Sequence, residues 1–168
     1  MADGKTNKEI ERKFLLKELP QNYDKFKKYN IEQTYINLNN PEHRIRKQDE
    51  IYYETFKGEG NISRTEEEHT IDEFKYNELL NKGISKTIYK TRYMIPINNN
   101  LIAELNIYEK DLKGLYLIEV EFDNIEDAST FIKPDWFGED VTNNPKFKNQ
   151  YLAMCKIEEI KDLIDNRS

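Results

Sequence analysis

Three Glu-x-Glu pairs, interleaved with alternating cations, are where this sequence could do chemistry. Glu9 and Glu11, Glu66 and Glu68, and Glu119 and Glu121 each bracket one residue. In an extended strand such a pair stands on one face, its carboxylates about 7 Å apart. Pairs on neighbouring strands can converge on a hard cation. Mg²⁺ and Mn²⁺ prefer oxygen ligands, and Mg²⁺ takes one or two carboxylates with water and the oxygens of a phosphate chain. The cations keep the same alternation. Lys13 follows Glu9 and Glu11 in phase, Arg44 and Arg46 flank Ile45, Lys57 is in phase with Thr55 and Tyr53, Arg64 precedes Glu66 and Glu68, and Lys90 and Arg92 share parity with Lys86. Arg grips phosphate by bidentate contacts and Lys as a point charge. Acid and base on one lining point to a metal ion together with a phosphate chain.

Strands must position these groups. Runs rich in β-branched and aromatic residues predict eight, over 8–16, 31–37, 43–47, 51–57, 62–71, 86–95, 101–108 and 115–122. Glu104 and Asn106 share a face in the seventh. Helical patterns fall at 21–29, at 72–81 with Asp72 as N-cap and Gly83 as stop, at 125–132, and over 148–164, where Ile157, Ile160 and Ile164 form an apolar stripe. The fold class expected is α+β: a closed eight-stranded antiparallel β-barrel, charged inside, with helices packed outside. An open sheet with cross-strand ion pairs on its wet face is the plainer alternative, each pair worth about 0.2–1 kcal/mol. The large apolar residues between the charges, and Glu-x-Glu spacing on three strands, favour the barrel. Charge buried in such a bore costs several kcal/mol unless cations, anions and water satisfy one another there.

The 168 residues suit one domain, with 35% charged and 37% apolar residues and a net charge of −6. That balance does not suit a nucleic-acid binder, whose affinity comes from an excess of Lys and Arg. The single Cys155 excludes an intramolecular disulfide, and the start Met1-Ala2-Asp3-Gly4-Lys5 carries no apolar stretch, so a cytoplasmic protein without a membrane span is expected. Cys155 reads as a small apolar residue on the last helix. A homodimer through strand edges or the C-terminal helix stays open.

The ordered series of motifs resembles the CYTH superfamily, the triphosphate tunnel metalloenzymes, which includes inorganic triphosphatases, thiamine triphosphatases and class IV adenylyl cyclases. The hallmark Glu-x-Glu-x-Lys stands as Glu9-Ile10-Glu11-Arg12-Lys13. The matching pieces continue through Arg44-Ile45-Arg46, Thr55-Phe56-Lys57-Gly58, Arg64 with Glu66 and Glu68, Lys90-Thr91-Arg92-Tyr93, Gly114-Leu115, Glu119-Val120-Glu121, Pro134-Asp135-Trp136, Glu139 to Thr142, and Asn144 to Leu152. The resemblance implies a tunnel in which Lys13, Arg44, Arg46, Lys57, Arg64, Lys90 and Arg92 bind a small-molecule triphosphate, with Lys146 adding a contact from the tail. It implies Mg²⁺ or Mn²⁺ on Glu9, Glu11, Glu119 and Glu121, with Glu66, Glu68 and Glu104 as further ligands or water positioners. Many relatives carry Asp where this chain has Asn106, a ligand of reduced charge.

The reaction implied is metal-assisted attack of water on the terminal phosphorus, with Glu9, Glu11, Lys13, Glu68, Glu119 and Glu121 as the catalytic set. Two alternatives stay open: a class IV-type adenylyl cyclase, with the ribose 3′-hydroxyl replacing water, and a non-catalytic polyphosphate- or nucleotide-binding module. The His-Phe pair frequent in the cyclase branch is missing before Glu9. His43 and His69 fall on the parity opposite the charges and read as packing or surface residues. Trp136 reads as an anchor for the tail.

Overall fold

Alternating apolar and polar residues give long antiparallel strands, and their pairing turns the sheet back on itself. The computed structural model describes residues 5–39 and 41–165, with side chains from Lys8 onward. The strands are β1 (Lys5–Leu16), β2 (Lys28–Asn37), β3 (Glu42–Gln48), β4 (Ile51–Lys57), β5 (Ser63–Ile71), β6 (Ile88–Pro96), β7 (Ile102–Tyr108), β8 (Tyr116–Glu121) and β9 (Phe137–Asp140). The sheet runs β5-β4-β3-β2-β6-β7-β8-β1-β9 with every pairing antiparallel, and an additional β5–β1 pairing closes strands β1–β8 into a barrel. The long β1 makes this closure possible: on one edge its first half pairs with β5 and its end with β9, while its other edge takes β8. The edges of β1 and β5 are thereby used within the chain.

The two faces of the wall carry separate apolar clusters. Outside, Ile10, Phe14, Leu105, Ile118, Val120 and Phe122 pack with Ala128 of α2 (Ile125–Thr130) and Phe137 of β9. Inside, one end of the lumen is filled by Leu15, Tyr35, Ile88, Tyr108 and Leu117, with Phe147, Leu152 and Ala153 packed on them from the tail. Leu152 and Ala153 belong to α3 (Asn149–Met154), and Ile160 of α4 (Ile157–Asp165) joins the same cluster. This apolar end of the lumen is closed. α1 (Glu73–Leu80) lies against β2, β3 and β4, capped by the Asp72 side chain, which accepts from Lys75 N at 2.8 Å.

Four expectations change. The stretch 21–29 is not a helix: it holds a single 3₁₀ turn, Tyr23–Lys25, and from Lys28 onward pairs with β6. The helix expected over 148–164 is two helices, because Cys155 is extended (φ −74°, ψ 162°) at the end of α3. The stripe on α4 also differs, with Ile160 buried and Leu163 and Ile164 packed beside it while Ile157 is exposed. Finally, β9 is an additional short strand that the residue pattern did not predict. Cys155 is buried and free. Among the described residues no helix is long and apolar enough to cross a membrane.

Candidate functional site

Strand register places the charged residues in one cavity. On β1 the inward parity reads Glu9, Glu11, Lys13, and β8 sets Glu121 opposite Glu11 and Glu119 opposite Lys13. β7 sets Glu104 opposite Glu119, β6 sets Arg92 opposite Asn106, and β4 sets Thr55 opposite Glu68 and Lys57 opposite Glu66. The resulting cavity has a volume of about 190 Å³, and Glu9, Glu11, Lys13, Arg44, Arg46, Lys57, Arg64, Glu66, Glu68, Arg92, Glu104, Glu119 and Glu121 line it. Lys90 stands just behind that lining, 2% exposed, its Nζ 5.3 Å from the Tyr108 ring centroid. Lys146 does not join them. It is exposed, its backbone N–H donates to the capping Asn144 Oδ1 at 3.1 Å, and the tail lysine that lines the cavity is Lys148.

Internal ion pairs satisfy part of this charge. Lys57 Nζ donates to both oxygens of Glu9 at 2.8 and 2.9 Å and lies 3.4 Å from Glu66. Arg46 lies 3.4 Å from Glu68, which also accepts from Thr55 Oγ1 at 2.8 Å. Arg64 lies 3.3 Å from Glu42 at the mouth and donates through Nε to Gly58 O at 3.0 Å. Gly60, in the same β4–β5 loop, has φ +138°, and a Cβ there would come within 2.1 Å of Ser63 O. Lys13 Nζ donates to Phe147 O at 3.0 Å, tying the tail to the hallmark lysine.

Several donors are left over. Arg44 Nε, Arg46 Nε and Lys90 Nζ are buried without a hydrogen-bond partner. An unmet buried donor costs about 1–3 kcal/mol, more when charged. Arg44 and Arg46 line the cavity, and Lys90 stands beside them.

The carboxylates divide into two kinds. Burial alone would raise Glu9, but Lys57 and Arg44 outweigh it and hold it at about 2. Glu119 likewise lies well below the usual range, because Lys13, Lys90 and Arg92 overcome its burial. Glu11 is pushed well up by burial and by the charges of Glu119 and Glu9. Glu121 is open to solvent along part of its side chain, yet burial of its carboxyl end and the neighbouring Glu104 push it up to about 8. Burial also lowers Lys90 well below its ordinary value, with Arg92 adding to the effect. Among the described residues no three acidic, His or Cys groups are arranged to hold a metal ion by themselves.

Charge alternation missed several lining residues. Gln33 and Tyr35 come from β2, whose inward face is uncharged, and Thr142, Asn149 and Gln150 come from the tail. Tyr35 was legible only as part of a strand. The histidines stay outside: His43 and His69 each bond one oxygen of Glu54, at 2.7 and 2.8 Å, and His43 stacks on Phe56 at 4.2 Å. Trp136 packs on the outer cluster and its carbonyl accepts from Lys17 N at 3.0 Å.

Comparison with known proteins agrees with this geometry. No protein-family model matches the chain. It is 36% identical over 148 residues to an inorganic triphosphatase of Nitrosomonas europaea, covering 87% of this chain and 97% of that protein. It is 31% identical over 121 residues to an inorganic triphosphatase of Acetivibrio thermocellus, covering 71% and 76%. The crystal structure of an inorganic triphosphatase superposes with a TM-score of 0.66 at 33% identity, over 88% of this chain and 95% of that one. A Hippeastrum protein described as having a dominant triphosphatase activity shares the fold, with a TM-score of 0.55 at 19% identity over 72% of this chain and 82% of that one. With a closed charged barrel and a relative matched over nearly its whole length, the chain belongs to the CYTH superfamily of triphosphate tunnel proteins, which includes the inorganic triphosphatases.

Proposed function

We propose that this protein is a divalent-metal-dependent triphosphatase acting on inorganic triphosphate. The observation that carries this reading is the set of buried, unpartnered cationic donors, Arg44 Nε, Arg46 Nε and Lys90 Nζ, around a cavity of about 190 Å³. Lys13, Lys57, Arg64 and Arg92 add positive charge on the same lining. The activity named for the relatives supports the reaction.

The carboxylates fit a hard cation. All the candidate donors are oxygens, and Mg²⁺ and Mn²⁺ need only one or two carboxylates when phosphate oxygens and water complete the shell. Glu9, Glu11, Glu119 and Glu121 would hold the ion, with Glu66, Glu68 and Glu104 close enough to the cavity to ligate or to orient water. Such an ion neutralises phosphate oxygens and makes a bound water a better nucleophile.

The chain's own groups do the remaining work by positioning and electrostatics. Arg44, Arg46, Lys90 and Arg92 hold the triphosphate and meet the negative charge that develops on its equatorial oxygens. Water attacks the terminal phosphorus, the bridging P–O bond breaks, and diphosphate leaves. Cys155 takes no part, being packed in the apolar cluster beyond the charged cavity.

Inorganic triphosphate is favoured over a nucleoside or thiamine triphosphate by the lining. Among the described residues that line the cavity and its mouth, Tyr35 is the aromatic one, and it is 1% exposed against Arg44. Among the described residues no ring lines the mouth to stack a base or a thiazolium. The test is phosphate release from tripolyphosphate, ATP and thiamine triphosphate with Mg²⁺ or Mn²⁺, alongside Glu11→Gln and an assay for cyclic AMP. Metal-dependent release fastest with tripolyphosphate and cut about 100-fold or more by Glu11→Gln is expected. Cyclic AMP without phosphate release, or tight triphosphate binding with neither product, would sink the reading.

A further inference from the structure

Asn106 sits in the middle of β7, fully buried, and uses both ends of its amide. Its Oδ1 accepts from Arg92 Nε at 2.9 Å. Its Nδ2 donates to Glu119 Oε1 at 3.0 Å and also faces Glu104 O at 3.1 Å and Leu117 O at 3.3 Å. The opposite amide orientation would set an oxygen against three acceptors and an N–H₂ against the Arg92 Nε–H, so the network fixes which way the group points. Arg92 NH1 lies 3.2 Å from Glu104 and NH2 3.6 Å from Glu119, so three charged side chains that pair with one another surround the amide.

An ionised Asp of the same shape could accept from Arg92 but could not donate to Glu119, and an apolar residue could do neither. The sequence suggested a metal ligand of reduced charge here. The structure gives the group other work, because both of its ends are turned to protein partners. We propose that Asn106 is a positioning residue for triphosphate hydrolysis, fixing the Glu119 carboxylate and the Arg92 guanidinium in the orientation the substrate meets. With Oε1 of Glu119 engaged, its other oxygen is held at a defined angle to the cavity, and with Nε engaged the planar Arg92 fork is aimed rather than free to rotate.

This assignment rests on Glu119 and Arg92 serving the proposed reaction, and a double-mutant cycle separates the two ideas. Asn106→Ala, Glu119→Gln and the double variant are compared with the wild type in single-turnover hydrolysis of tripolyphosphate with Mg²⁺, with thermal melting of each. Asn106→Ala is expected to lower the wild-type rate constant about 10- to 100-fold with KM changed less than about threefold. In the Glu119→Gln background the same change should cost clearly less than in the wild type, because of the two groups it positions only Arg92 is left. A purely structural role would give equal factors in both backgrounds, and that result, or a wild-type rate constant lowered less than twofold, overturns the inference. Asn106→Asp, which keeps the shape and the Arg92 contact, runs through the same cycle should the alanine variant fail to fold. A wild-type protein that releases no phosphate takes the functional reading down with it, whereas additivity in an active enzyme removes only the role of Asn106.

Discussion

The same strands build two halves of one lumen that have nothing in common chemically. Two residues along β1, inward-facing Lys13 gives way to Leu15, and the same step turns Lys90 to Ile88, Asn106 to Tyr108 and Glu119 to Leu117. One half is a cavity of unsatisfied cations and crowded carboxylates, and the other is dry packing capped by α3. The difference teaches that barrel closure does not dictate the character of the interior. A charged bore carries desolvation penalties that an apolar plug offsets, and the plug also gives the cavity a floor.

Substitutions that read each half with the other's measurement sharpen this contrast. Leu117→Ala, at 0% exposure in the dry half, should cost about 2–5 kcal/mol in chemical denaturation while leaving turnover per folded molecule close to normal. Lost turnover at full stability would mean that the floor itself takes part in the reaction. Arg44→Ala, in the wet half, should weaken metal-free tripolyphosphate binding about 10- to 100-fold by calorimetry and change stability less than Leu117→Ala does. An unchanged affinity would remove Arg44 from the anion receptor.

The smallest expected effect is on pH dependence. Glu121 titrates at about 8 in the folded chain against an ordinary 4.5, so between those values the folded chain keeps a proton that the unfolded chain has released. Its contribution is therefore present below 4.5 and lost as pH rises through about 8. Glu9, held at about 2, acts oppositely: its contribution is present above 4.5 and lost as pH falls toward 2. A cation held at Glu121 would displace its proton, so Mg²⁺ should raise the melting temperature more near pH 8 than near pH 6. Equal shifts at the two pH values would separate Glu121 from the cation.

The wet half was the legible one. Charge at alternate positions is visible in a sequence, and the eight long strands came out within a few residues of their ends because apolar, β-branched and aromatic residues recur between the charges. Gln33 and Tyr35 face the same cavity, but an uncharged inward face is indistinguishable from packing until β2 is paired between β3 and β6. The stretch 21–29 has helical composition, and the pairing of Lys28 and Tyr29 with β6 overrode it. In the tail, no periodicity separates Lys146 from Lys148; the 3₁₀ turn Pro145–Phe147 decides which of them reaches the cavity. The four residues of β9 are too few to show an alternation.

The floor formed by α3 and Leu117 has a kinetic consequence. With the apolar end of the lumen filled by packed side chains, a phosphate chain has no path out past α3. Diphosphate, which keeps most of the anionic contacts of its parent, must back out before the next substrate enters. Product release is then expected to limit turnover, with diphosphate competing against substrate in an initial-rate assay. A long polyphosphate would likewise find no way through the packed end to be trimmed in passing.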